Sequence, residues 1–271
     1  NANRLDNMRQ GVLGTDASRI EGLLKVTGTA PYAAEYQLDD CLEGVIVTAT
    51  VPKGEVTGID ADSVLSMPGV VTVIDDPALI ARPAQGTAGE APEQPARKIG
   101  YFGQPIALVV AETFEQARDA AKHLSVSYRE DDDAAFDPEA VEAETKDGAT
   151  SQGDLAHAMK VAAASVDQTY RTEGHSSAAM EPHAAIAQWD GDTLTVYASL
   201  QMLNYNISEL ADSLGLDEDK VRLVSRYVGG GFGSKLGISE ETVAASVAAM
   251  KLERPVRVAM LRQQVLQCIM R

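Results

Sequence analysis

Val221-Arg222-Leu223-Val224-Ser225-Arg226-Tyr227-Val228-Gly229-Gly230-Gly231-Phe232-Gly233-Ser234-Lys235 is an apolar strand pattern that runs into a loop with four glycines in five residues. Glycine backbone reaches positive φ and approaches a ligand with no Cβ in the way, leaving N–H groups free to face negative oxygens. Ser239 then opens a helical pattern to about Leu252, so the order is strand, loop, helix, a geometry suited to a charged ligand. Nucleotide fingerprints do not fit. The third glycine of G-x-G-x-x-G is Ser234 when read from Gly229 and Leu236 when read from Gly231. A P-loop requires Gly-Lys-Ser/Thr, whereas the order here is Gly233-Ser234-Lys235. Two readings remain, a backbone cradle for an anion or cofactor and a structural turn around an ordinary Phe232.

Working outward, Asp190-Gly191-Asp192 between two apolar runs predicts a hairpin whose second strand leads to Gln201. Leu203, Ile207, Leu210, Ala211 and Leu214 recur at helical spacing, and Gly215 is placed to end that helix. Pro255 precedes a strand predicted over 256–260. Met180-Glu181-Pro182-His183 lies just before the hairpin. Glu181 reads either as a group that orients backbone or cofactor or as a solvated or capping side chain, and His183 as a structural histidine before a ligand. His175 and His183 lack the helical spacing and companion carboxylate that a metal site needs. Lys235 reads either as a phosphate partner or as an exposed or structurally paired lysine.

The first half of the chain, about 17–130, has a mixed α/β pattern. Ile106-Ala107-Leu108-Val109-Val110 is a continuous apolar strand. Thr113-x-x-Gln116 is a capping-box signature for a helix to about Lys122, and Leu124-Ser125-Val126-Ser127-Tyr128 alternates as a second strand. Residues 77–98, rich in Pro, Ala, Gly and Gln, predict a surface loop. From Glu130-Asp131-Asp132-Asp133 to about Gly153 no period would bury a face, which predicts a linker and a domain boundary between 140 and 160. The division expected is a domain over 1–145, a linker over 146–160 and a second domain over 161–271.

The chain has 271 residues, 45% of them hydrophobic, which is enough for two domains with a sizeable core. A net charge of −17 argues against nucleic acid as a partner, since phosphate binding needs a basic footprint. Cys41 and Cys268 are far apart and form no metal-binding or cluster-binding spacing. No apolar run reaches the roughly 18 residues of a membrane span, and Asn1-Ala2-Asn3-Arg4 has no apolar signal core. A soluble chain is expected. It does not begin with methionine, so upstream residues stay open.

The segment Gly229-Gly230-Gly231-Phe232-Gly233-Ser234-Lys235 resembles the G-G-G-F-G-x-K cofactor loop of the xanthine dehydrogenase and aldehyde oxidase family. The resemblance extends over nearly the whole chain. Met180-Glu181-Pro182-His183, the hairpin, Ser199-Leu200-Gln201, the helix and the glycine loop follow the family's order. Arg19-Ile20-Glu21-Gly22, Lys25-Val26-Thr27-Gly28, Gly103-Gln104-Pro105-Ile106-Ala107 and Val109-Val110-Ala111 resemble its smaller α/β domain.

This resemblance implies an α+β fold, an α/β hammerhead-like domain followed by the first part of a molybdopterin-binding α/β domain. It implies a molybdenum cofactor, in bacterial relatives the molybdopterin cytosine dinucleotide, contacted by Gln201, Gly230, Gly231, Phe232 and Gly233. In the family the glutamine bonds an oxo ligand of the metal, and the Phe-Gly backbone contacts the same face. The activity implied is aldehyde oxidation with water-derived oxygen, with N-heteroaromatic hydroxylation and a non-catalytic assembly role as alternatives. Purine-oxidising relatives carry a glutamate after the loop lysine; Leu236 stands there in this chain and disfavours purines. FAD and 2Fe-2S are expected on partner subunits, and the rest of the molybdenum-binding region on a companion polypeptide. The family's general base is expected outside this chain, so no catalytic residue is assigned. The compartment stays open between cytoplasm and periplasm.

Overall fold

The computed structural model describes residues 16, 18–79, 97–134 and 152–269. The first half contains α1 (Gly22–Val26), β1 (Leu42–Thr48), β2 (Gly54–Asp60), α2 (Asp62–Leu65), β3 (Val70–Ile74), β4 (Lys98–Ile99), β5 (Pro105–Ala111), α3 (Phe114–His123) and β6 (Ser125–Glu130). The second contains α4 (Leu155–Val161), β7 (Ala184–Trp189), β8 (Leu194–Ala198), α5 (Leu203–Leu214), β9 (Val221–Val224), α6 (Glu240–Leu252), β10 (Val256–Ala259) and α7 (Arg262–Cys268). Helices and mostly antiparallel strands make the fold α+β.

Seven strands form one sheet in the order β3-β5-β1-β10-β7-β8-β9, and β4-β2-β6 form a second, three-stranded sheet. The larger sheet joins the two halves of the chain through a parallel pairing of β1 with β10, Leu42 opposite Val256 and Gly44 opposite Val258. A Cβ on Gly44 would lie 2.8 Å from Val258 Cγ2, so this seam needs glycine for its closeness. Across the same seam Arg257 pairs with Glu43 at 2.5 Å.

Both faces of this sheet are covered, which explains the unbroken apolar run of β5. Leu108 and Val110 join the main core with Val243, Ala244, Val247 and Ala248 of α6. Val109 packs in a separate cluster with Ala120 of α3, and Ala111 in another with Ala117. Ten of the 13 residues of α6 are buried, and a helix buried nearly all round carries little amphipathic signal. Its alanines let it lie close to the strands.

Several local expectations are modified. β5, α3 and β6 do follow one another, but β5 and β6 belong to different sheets, so α3 bridges two sheets. Thr113 Oγ1 caps α3 by accepting from Gln116 N–H, yet the Gln116 side chain accepts from the Thr113 hydroxyl and the reciprocal half of the box is not formed. The apolar pattern of 221–228 yields a strand only to Val224, after which the chain bends toward the loop. Within the expected linker, Asp154 accepts from His157 N–H and opens α4, a helix with no buried residue. Most of the 77–98 stretch and the linker residues up to 151 lie outside the described residues.

Candidate functional site

β8 runs parallel to β9, and both end at the same edge. Ser199, Leu200 and Gln201 leave β8 there, and the glycine loop leaves β9. Ser225 ties the two exits together, its Oγ accepting from Leu200 N–H at 3.1 Å and donating to Leu200 O at 3.2 Å. Gln201 N–H donates to Lys235 O at 2.8 Å, so the glutamine hangs on the residue that closes the loop. α5 starts immediately afterwards and is ended by Gly215 at φ +66°, with cap N–H groups donating to Ala211 O and Asp212 O.

The loop is wound tightly. Gly230 and Gly233 have φ of +103° and +92°, and Phe232, which is not glycine, has φ +51°. A phenylalanine in the left-handed region costs about 1–3 kcal/mol and persists only where its surroundings enforce it. Phe232 is 67% exposed, so this is not an ordinary core phenylalanine. A Cβ on Gly231 would lie 2.3 Å from Gln201 Oε1. The glutamine carboxamide therefore rests directly against the bare Gly231 backbone. Ser234 holds the turn, donating from N–H and Oγ to Gly231 O at 2.9 and 2.7 Å.

Beneath the loop lies a charged cluster. Lys235 is fully buried, and its Nζ donates to Glu181 Oε2 at 2.9 Å, Ser199 Oγ at 3.0 Å and Glu181 O at 3.2 Å. Glu181 Oε2 also accepts from Ser199 Oγ at 2.6 Å and Gly229 N–H at 2.7 Å, while Oε1 accepts from Ala33 N–H at 3.4 Å. Glu181 N–H returns a bond to Gly229 O. Burial alone would push the Glu181 carboxyl up, but hydrogen bonds from Ser199, Lys235 and Gly229, with the Lys235 charge, hold it below the usual range. Of the readings open for Lys235, the structure has the structural pair.

His183 is buried and its Nε2 lies 3.1 Å from Ser234 O, so Nε2 carries the proton; its carbonyl accepts from Met260 N–H. It supports the loop from behind. Leu236 is half-buried, with its carbonyl accepting from Asn206 Nδ2. The structure brings Gln201 and the loop together, and adds Ser199, Ser225, Asn206 and the Ala33 amide as supports that the sequence does not single out. The signal for Ser199 is a hydroxyl two residues before Gln201 in a strand exit; the others carry none.

The residues present offer a cofactor a free carboxamide beside bare backbone. Gln201 is exposed, and its carboxamide has no hydrogen-bond partner among the described residues, leaving a donor and an acceptor free beside glycine backbone. Among the described residues no three His, Cys, Asp or Glu side chains are grouped to hold a metal ion, so a metal here would be carried by its cofactor. A cleft of about 590 Å³ lined by Val73, Leu79, Gln104 and Lys251 includes neither Gln201 nor the loop.

Residues 27–132 match the aldehyde oxidase and xanthine dehydrogenase a/b hammerhead domain, and residues 137–269 the molybdopterin cofactor-binding domain. The chain is 38% identical to the aldehyde oxidoreductase molybdenum-binding subunit PaoC of Escherichia coli (strain K12), over 97% of this chain and 36% of that protein. It is 29% identical to the nicotinate dehydrogenase large molybdopterin subunit of Eubacterium barkeri, over 93% of this chain and 62% of that protein. The aldehyde oxidoreductase from Desulfovibrio gigas superposes with a TM-score of 0.79 at 26% identity, over 94% of this chain and 31% of that one. The chain thus spans about a third of PaoC and of the Desulfovibrio gigas enzyme. With both domain models in series and the loop geometry behind them, the chain belongs to the xanthine dehydrogenase and aldehyde oxidase family and corresponds to part of its molybdenum-binding subunit.

Proposed function

We propose that this chain is part of the molybdenum-cofactor subunit of an oxidoreductase that converts aldehydes to carboxylic acids with oxygen from water. Gln201, Gly230, Gly231, Phe232 and Gly233 are the cofactor-binding residues in this reading. The supporting observation is the Gln201 carboxamide lying against Gly231 with its hydrogen-bonding atoms free. The domains are taken as 1–145 and 161–271 with a linker between them, joined by the shared sheet.

When bound, the cofactor supplies a redox centre that accepts two electrons as water oxygen enters the substrate carbon. Overall, aldehyde and water become carboxylic acid with release of two protons and two electrons. Gln201 Nε2 would be the donor available to an oxygen of the bound group. The missing Cβ at Gly231 lets backbone and carboxamide share one surface, and the ring of the exposed Phe232 lies against Gly230. In this reading 2Fe-2S and FAD on partner subunits would serve as the electron acceptors, and a companion polypeptide would supply the remaining molybdenum-binding region. The cytosine dinucleotide form of the cofactor belongs to the same reading. No general base is assigned here, and the isolated chain is expected to be inactive.

Metal analysis of the complete native complex, with aldehyde turnover of Gln201→Ala, tests the reading. Molybdenum in the complex and a fall of about 10²-fold in kcat are expected, the scale for removing one preorganised donor. Unchanged turnover in Gln201→Ala would favour a non-catalytic assembly role. A second reading keeps the site and changes the substrate to an N-heteroaromatic ring, because the Eubacterium barkeri relative is a nicotinate dehydrogenase subunit. Comparing benzaldehyde with isoquinoline turnover separates the two.

A further inference from the structure

The charged cluster beneath the loop is unused by the function proposed above, although it is the most heavily bonded polar group near it. Glu181 collects donors from four separate stretches of chain: Ala33, Ser199 at the exit of β8, Gly229 at the entry of the loop and Lys235 at its close. Lys235 spends its three protons on Glu181 Oε2, Glu181 O and Ser199 Oγ, which saturates the ammonium. Its backbone carbonyl accepts the Gln201 amide at 2.8 Å. Lys235 thus joins two functions in one residue, an anchored side chain and a carbonyl that carries Gln201.

We propose that Glu181 and Lys235 are positioning residues for Gln201: their buried pair, clasped by Ser199 and the Gly229 amide, fixes both ends of the glycine loop and thereby the Gln201 carboxamide over Gly231.

Geometry supports this in three ways. First, Gly229 and Glu181 bond each other twice, Gly229 N–H to Oε2 and Glu181 N–H to Gly229 O, so the loop entry cannot shift without moving the carboxylate. A Cβ at Gly229 would stand 2.5 Å from Glu181 Cβ, which shows how closely the two backbones approach. Second, loop entry and loop close meet on the same oxygen, Oε2, within 2.9 Å. Third, the left-handed Phe232 needs an enforcing frame, and a loop pinned at both ends supplies one. A pair of charges this deep is weak evidence for stability, because desolvation offsets the attraction, and hydrophobic groups of similar volume often serve as well. Positional specificity accounts better for its presence. The orientation of Gln201 toward a cofactor rests on the function proposed above; the pinning of the loop does not.

The test uses the complete complex and three forms of this chain: unmodified, Glu181→Gln and Val109→Ala. Val109 is fully buried in the cluster around α3, away from the loop, and serves as a control for general destabilisation. Hydrogen exchange of peptides covering 199–202 and 229–236 is measured at equal distance below each form's own melting temperature. About tenfold faster exchange in Glu181→Gln, with no such change in Val109→Ala, is expected. Equal exchange in the two variants overturns the proposal. The EPR line shape of the reduced complex adds a readout that mere folding does not move: a signal altered in Glu181→Gln but not in Val109→Ala is expected, and an unaltered signal despite faster loop exchange overturns the part concerning Gln201. Absence of molybdenum from the unmodified complex overturns the functional reading instead, and the exchange result then decides the pinning of the loop by itself.

Discussion

Lys235 and Leu155 invert the usual assignment of polar residues to the surface and apolar ones to the core. The lysine is 0% exposed beneath the glycine loop, whereas the leucine is 75% exposed on α4, in a stretch from 152 to 176 where every residue is exposed. Tyr170 at 86% and Met180 at 91% continue that apolar exposure toward the site. The difference lies in partners rather than in hydropathy. Lys235 meets a carboxylate, a hydroxyl and a carbonyl at hydrogen-bonding distance, which is the condition for burying a charge. Nothing among the described residues covers the leucine. α4 has seven residues, too short to be stable without tertiary support, and it relies on its Asp154 cap.

The strongest challenge to this comparison is Lys235→Met. It leaves the Glu181 carboxylate buried without its counter-charge, and a loss of about 3–5 kcal/mol is expected by denaturant unfolding. A loss below about 1 kcal/mol would mean that the lysine is buried for its stem and not for its charge. Acid probes the same contact from the other partner. Because the folded carboxyl of Glu181 is held below its ordinary value of 4.5, its contribution is fully present above that pH and is lost as pH falls further. Glu181→Gln should flatten this part of the acid unfolding curve, and an unchanged curve would assign the acid response to other carboxylates.

Gly231→Ala sharpens the view of the loop. Its new Cβ meets the movable end of Gln201 and no backbone, so stability should fall by only about 1 kcal/mol while the glutamine is displaced. Turnover of the complete complex should then resemble that of Gln201→Ala; wild-type turnover would detach the glutamine from the chemistry. Smallest of all, Leu155→Ala and Tyr170→Ala should leave the unfolding free energy within about 0.5 kcal/mol, as exposed positions do. A clear loss would show that this stretch is packed after all.

What could be read in the sequence was local. The hairpin turn at Asp190-Gly191-Asp192 and the end of α5 at Gly215 each depend on a few adjacent residues, and both stand where their turn chemistry places them. The glycine loop was visible because its composition is rare. Its foundation was not, since Glu181 and Lys235 are 54 positions apart and no periodicity connects them. Burial misleads too, because an ordinary reading of Lys235 puts it in water. α6 looked like a helix from its cap and length, but its nearly uniform burial hid which elements it packs against. The pairing of β1 with β10 spans the whole molecule and left no trace in either strand alone.

That pairing has a consequence for the chain as two pieces. A break anywhere between 135 and 151 would sever the covalent path but not the sheet, because Leu42, Glu43 and Gly44 would still lie along Val256, Arg257 and Val258. Each piece made separately would carry an open, adhesive strand edge whose natural complement is the other. Mixed together, they should co-elute as one particle, and failure to do so would show that the peptide connection, not the seam, keeps the halves in register.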